Sequence, residues 1–265
     1  MKKIYLIITI LILITTSISC SAQICKDTNK TSDEWTGKIR IEGNDNTVWT
    51  GIITVSDSNI FAKNVTSGVI EEFYISYPSV LGALDEASKI GGFSYVVEYW
   101  PDWNAFLIKT IEIDSEWWHY WVDFELPMVG VGQYELSDDD EILIGYLENW
   151  YAHALKISVD KNEVKKGEKF TISVFNETDN IVEEAKVYIG EDVYTTDVNG
   201  TVKVAISKKG NYAIYAEKDE YVRSEKKNIQ VKIKSKYQSN RFISMTNFLQ
   251  FFLNQRSILK HLINH

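Results

Sequence analysis

Proline occurs three times, cysteine twice and histidine four times in 265 residues. Both cysteines, Cys20 and Cys25, stand close to the start, so no disulfide framework holds the folded parts and stability must come from packing. Scarce proline leaves long stretches free to join β ladders, because every other residue keeps its backbone N–H. None of the histidines His119, His153, His261 and His265 lies in an H-E-x-x-H pattern. His261 and His265 are four apart but have no third ligand nearby, which makes a zinc site there a poor reading. There is no G-x-S-x-G, no Walker loop and no G-x-G-x-x-G. Asp138-Asp139-Asp140-Glu141 lacks the alternation of a calcium loop and reads as a solvated turn. These absences argue against an enzyme and leave no cofactor to expect. Negative charge is missing from the far end of the chain: residues 226–265 hold eight Lys or Arg and no Asp or Glu.

What is present is aromatic and apolar. Eight Trp, fifteen Tyr and a 45% apolar content suit a packed, β-rich chain. The net charge of −9 makes nucleic acid an unsuitable partner for the body of the protein.

Residues 1–22 read as an export signal. Lys2-Lys3 is the basic start, residues 4–14 are the apolar core, and Ser19-Cys20-Ser21-Ala22 supplies small residues for cleavage. The apolar run falls short of the ~20 residues that a permanent span needs. Cys20 fits a permissive bacterial lipoprotein box, so one outcome is a lipid tether at Cys20. The other is a cut after Ala22, which leaves Cys25 as the single mature cysteine.

Residues 23–34 are a polar linker. Residues 38–42 and 47–55 alternate as two strands around the turn Gly43 to Asn46, residues 60–65 are a third, weaker strand, and Phe73-Tyr74-Ile75-Ser76 leads into Pro78. Ser79 is the N-cap of the one clear helix. Val80, Leu81, Leu84, Ala87 and Ile90 form its apolar face, and Gly91-Gly92 ends it. Residues 93–99 and 105–113 are strands joined by Pro101-Asp102-Trp103-Asn104. Beyond residue 150 the pattern becomes short strands with frequent turns: 156–159, 170–174, 185–189, 201–206, 212–216 and 229–233. Asn199-Gly200 is read as a hairpin turn. The tail, residues 236–265, places Met245, Phe248, Leu249, Phe252, Leu259, Leu262 and Ile263 at helical spacing among basic residues. It is either a membrane-surface segment or a disordered end.

The chain is organised around residues 117–146. Trp118, Tyr120 and Val122 alternate with Trp117, His119, Trp121 and Asp123, so large side chains occupy both faces of a strand. The run Trp118-His119-Tyr120-Trp121-Val122-Asp123, followed by Tyr134-Glu135-Leu136-Ser137-Asp138-Asp139-Asp140-Glu141-Ile142, resembles the transcobalamin-like C-terminal domain family, with its W-x-Y-W-V-N-G strand and later Y-x-L-x-D-G-D-x-V hairpin. The helix at Ser79 to Ala87 resembles that family's opening helix. Two departures stand out: Asp123-Phe124 replaces the Asn-Gly of the first motif, and Asp139 replaces the turn glycine of the second. The resemblance implies a β-grasp fold and, in some relatives, contact with a corrinoid. Thr196 to Gly200 with Gly210-Asn211-Tyr212 resembles bacterial and archaeal surface sandwiches, including carboxypeptidase regulatory-like ones.

The expected fold is therefore mainly β with one helix, an α+β class: a β-grasp-like domain over 35–149, then an immunoglobulin-like β-sandwich over 150–235, folding separately. The expected function is that of an exported, extracellular or cell-surface binding module that captures a small, corrinoid-like ligand. Its candidate site is the Trp117, His119 and Trp121 face with Trp103 from the neighbouring turn; aromatic faces suit flat ligands, sugar rings and protein hot spots. Its partners would be a small molecule or a surface polymer, no nucleic acid, and a membrane through the Cys20 lipid or the tail. The alternative is a structural or adhesive surface protein whose two domains serve as spacers and contact surfaces.

Overall fold

The structure, a computed structural model, describes residues 34–233. The export signal, Cys20, most of the linker and the basic tail lie outside the described residues. The described chain is mainly β with one α-helix, its strands arranged in four sheets.

The first half comprises β1 (Trp35–Glu42), β2 (Thr47–Val55), β3 (Ser58–Asn64), β4 (Ile70–Ile75), α1 (Val80–Gly91), β5 (Tyr95–Trp100), β6 (Ala105–Ile111), β7 (Asp114–Ser115), β8 (Trp118–Val122) and β9 (Ile142–Tyr146). Sheet I has the order β2-β1-β9-β8, and sheet II the order β4-β3-β5-β6-β7. Both are mixed: β1 runs parallel to β9 and β3 parallel to β5, while the other neighbours are antiparallel. Period-two alternation sends Ile39 and Ile41 of β1 and Ile60 and Ala62 of β3 into one core, where they meet Leu81 and Leu84 of α1.

The helix begins and ends where the sequence places it. Ser79 Oγ accepts the Gly82 N–H at 3.0 Å, and Gly92, at φ 69°, closes the last turn with its N–H on Ser88 O. A β-carbon on Gly82 would stand 3.0 Å from Val55 and Ser58, so the missing side chain lets the helix lie close to the sheet. Ile90, expected on the apolar face, is 65% exposed. It sits about 120° around the helix from Leu84, and it is Trp49 that packs against the last turn, at Gly91.

The second half comprises β10 (His153–Val159), β11 (Glu163–Lys165), β12 (Lys169–Asn176), β13 (Lys186–Ile189), β14 (Asp192–Thr195), β15 (Thr201–Ala205), β16 (Gly210–Glu217), β17 (Tyr221–Val222) and β18 (Lys227–Lys232). One sheet has the order β15-β12-β10-β17 and the other β11-β18-β16-β13-β14. Phe170, Ile172, Val187, Ile214 and Val231 fill the core between them. The Asn199-Gly200 turn forms, but not as a hairpin. Its flanking strands belong to different sheets, β14 pairing with β13 and β15 with β12. Gly200 (φ 66°) passes so near β12 that a β-carbon would stand 2.9 Å from Val174 O. The close approach to another strand, as much as the turn, requires glycine here.

Candidate functional site

Strand β8 keeps its two faces apart as its alternation predicts. Tyr120 and Val122 enter the first core and Trp118 packs against it. Tyr120 donates its hydroxyl to Val129 O at 2.7 Å, and burial raises its phenol above the ordinary value. The other face of sheet I is not open to a ligand. Trp121 is fully buried, packed with Leu143, Ala154 and Val222, so the second half of the chain covers it. Gly145 of β9 makes this approach possible, since a β-carbon there would fall 2.6 Å from the Val222 methyls.

His119 lies on the same face, half-buried, with Nε2 3.2 Å from Leu147 O. Burial holds its imidazole below the ordinary value, and the Leu147 and Asn149 carbonyls oppose that shift in part. Trp117 meets Trp150 edge-on at 5.2 Å. Trp103 is elsewhere: it follows β5 on sheet II, 68% exposed, and stacks on Trp100 at 5.2 Å with ring planes 12° apart. The structure therefore does not gather Trp103, Trp117, His119 and Trp121 around one opening. The sequence motif defined both faces of β8 but carried no signal for what would cover the second one.

The same face holds residues that sequence reasoning passed over. Lys38, Arg40 and Glu42 alternate with Ile39 and Ile41 along β1, and although charged, Arg40 is 6% and Glu42 2% exposed. Arg40 donates to Glu42 Oε1 and to Arg223 O, both at 2.9 Å. Arg223 reaches back from the second half to the β1–β2 turn, donating to the carbonyls of Gly43, Asn44 and Asp45. Its Nε lies 3.2 Å from Glu217 Oε1, close enough for attraction but not aligned as a hydrogen bond. Two arginines thus share a buried carboxylate across the junction.

Beside this network runs a groove of about 780 Å³, lined by Asn44, Asp45, Tyr146, Glu148, Glu217 and Tyr221 among others. It is polar, and two of its carboxylates are engaged, Glu148 by the Tyr146 hydroxyl at 2.6 Å and Glu217 by Arg223. Among the described residues no three His, Cys, Asp or Glu side chains are grouped to hold a metal ion.

An open apolar surface lies on the outer face of sheet II. Phe61 is 65%, Ile70 68%, Tyr74 63%, Val96 49% and Leu107 43% exposed. They belong to four adjacent strands, and the register puts them on one side: Phe61 stands opposite Glu72, Ile70 opposite Lys63, and Glu98 links Lys63 to Leu107. Tyr74 donates its hydroxyl to Asp57 at 2.8 Å, which raises the phenol and lowers the carboxyl. Trp100 lies on the same side as Val96 and Glu98 by alternation, so the Trp100–Trp103 stack extends this face past the end of β5. The legible signal was apolar residues at consecutive positions, Ile60-Phe61 and Val96-Val97, in strands that bury only one side.

No family model matches the chain, and no curated protein is similar to it.

Proposed function

We propose that this protein is an exported, non-enzymatic binding protein of the cell surface, with the outer face of sheet II as its contact surface and the second half as a stiff spacer. The observation that carries this reading is the face itself. Five large apolar side chains stand in the open on the sheet, and the exposed Trp103 stacks on the partly buried Trp100 just past the end of β5. Monomeric proteins seldom leave such a patch uncovered unless it meets something. The signal-like residues 1–22, with Cys20 as a lipid tether or Ala22 as the cleavage point, support the export half of the reading. The binding half rests on a sequence without a catalytic motif. The resemblance of the first half to transcobalamin-like β-grasp domains, and of the second to surface β-sandwiches, supports the division into 35–149 and 150–235.

This favours an adhesive surface over corrinoid capture. A flat ligand held by Trp117, His119 and Trp121 would need the face that Val222 and Ala154 occupy. Of the four residues first assigned to such a site, Trp103 alone joins the contact surface. The test is binding of the purified protein to cells of its own source and their envelopes, before and after Phe61→Ser and Trp103→Ala. Both side chains are exposed, so melting temperatures should hold while binding falls severalfold. Unchanged binding by both variants would sink the assignment of this face.

A further inference from the structure

We infer that the basic segment at residues 236–265 docks on the first half of the same chain, over the loop that follows β8 and the acidic turn that precedes β9. The two stretches are opposites in charge. Residues 110–155 hold eleven Asp or Glu and no Lys or Arg, whereas residues 226–265 hold eight Lys or Arg and no Asp or Glu.

The receiving surface is apolar and acidic at once. Met128 is 93% exposed, and Leu126 and Val129 are exposed on the same loop. The Tyr120 hydroxyl holds the Val129 carbonyl, and the Tyr120 ring stands 6.4 Å from that of Tyr134. Asp140, Asp123 and Glu125 lie close enough to Tyr134 to add to the rise that burial gives its phenol. Two hydrogen bonds join Asp123 to Glu141, so loop and turn form one end of the first half. With Asp138 and Asp139, that end carries six carboxylates. The contacts bring two cations to it: Lys38, 3.5 Å from Glu141, and Lys156, over the Phe124 ring. Each is shared with an acid of the second half, Lys38 with Glu225 and Lys156 with Asp179, so the end keeps a negative surplus.

The spacing of the segment matches such a surface. At helical period, its apolar stripe runs from Met245 to Ile263, and Arg256 falls inside it, seven residues after Leu249 and four after Phe252. Lys260 follows Arg256 by four. The opposite side, with Asn247, Gln250, Asn254 and Ser257, holds no Lys or Arg. A helix that lies on a membrane carries its cations on the polar side, away from the acyl chains. Here the cations stand among the apolar residues, which suits a partner that offers carboxylates beside exposed Leu, Met and Val.

Reach and charge select this end over the other open surfaces. Glu225, just before β18, lies 3.2 Å from Lys38, so β18 starts beside the acidic end. The strand ends ~20 Å further on, and residues 234–241 can span up to ~27 Å back. The outer face of sheet II lies across the first core from sheet I, whose other face meets the second half, and it carries Lys63 and Lys109. The groove beside Arg223 holds Lys186 and Lys218 as well. Attachment to the same chain makes docking intramolecular, so even a weak contact is populated.

The experiment uses the two methionines that the contact would cover, Met128 in the loop and Met245 in the segment. The purified full chain is pulsed with dilute hydrogen peroxide, and peptide mass spectrometry reads sulfoxide at each site, with the urea-unfolded chain as the unprotected reference. Docking predicts oxidation about tenfold slower at both, as a ~90% docked population gives. Arg256→Glu with Lys260→Glu should return both sites to the reference rate. Adding Glu125→Lys and Asp138→Lys, at exposed positions, should restore the protection. Melting temperatures, measured alongside, report folding of each variant. Oxidation of both methionines at the reference rate in the native chain overturns the inference. Protection of Met245 with Met128 left open overturns it too: the segment then rests elsewhere, and on a membrane where phosphatidylglycerol vesicles are needed for that protection. Protection that disappears on dilution overturns it in favour of a second copy.

Discussion

Glu42 lies between two arginines in a place that water hardly reaches. Moving a carboxylate out of water is costly, and here the guanidinium of Arg40 at 2.9 Å and that of Arg223 nearby offset the cost. The threonine hydroxyl of Thr47 adds a third partner, 3.0 Å from Oε2. Removing the charge alone leaves both cations buried without it. Glu42→Gln should therefore destabilise the fold by about 3–5 kcal/mol, read from denaturant midpoints at constant slope. A loss under ~1 kcal/mol would mean that water reaches the arginines. His119 makes a second, pH-dependent contribution. Its folded value lies below 6.5 because burial disfavours the imidazolium. The unfolded chain then binds the proton more readily, so stability is full above about pH 6.5 and declines as pH falls below it. In His119→Gln that part of the decline should vanish; an unchanged pH profile would show the ring to be solvated.

Elements were legible in the sequence wherever punctuation and period agreed. Ser79 and Gly92 bracket α1, and the spacing of Leu81, Leu84 and Ala87 names its buried side, so Leu84→Ala should cost about 2–5 kcal/mol in a denaturant titration. A change near 0.5 kcal/mol would place that face in solvent. The hairpin after β8 shows why other elements were less legible. Val122 and Glu125 exchange both backbone hydrogen bonds, which forces Asp123 to φ 51° and Phe124 to φ 63°. That is the place for Asn-Gly, and a phenylalanine there is strained by about 1 kcal/mol or more. The strain is offset locally. Asp123 Oδ1 accepts the Glu141 N–H at 2.9 Å, and the Phe124 ring packs beside Trp121 and under Lys156. Asp139 adopts φ 72°, within the reach of aspartate, so both turns take a left-handed backbone without a glycine. What residue types could not reveal were facts of partnership between distant segments. Asn199-Gly200 looks like a hairpin but bridges two sheets, and the charged side of β1, at Lys38, Arg40 and Glu42, meets the other half of the chain.

At the scale of the molecule, the issue is whether the two halves unfold apart. Each has its own apolar core, which is why composition and turn density suggested separate domains. Yet the junction is not a bare linker. Trp121, Leu143, Ala154 and Val222 form a third cluster from both halves, and Arg223 anchors to three carbonyls of the first half. Full burial of an indole and a valine contributes several kcal/mol at roughly 25 cal/mol per Å², comparable with the whole stability of a small domain. The intact chain should accordingly show one calorimetric transition. Gly145→Val tests the cause. Its backbone is an ordinary strand that favours valine, so any loss belongs to the clash with Val222, 2.6 Å from the new β-carbon. The added side chain wedges the halves apart while both cores stay intact. The expected result is two transitions in place of one, with early cleavage between the halves. A single transition at the original temperature would show that the third cluster does not couple them and that each half folds by its own core.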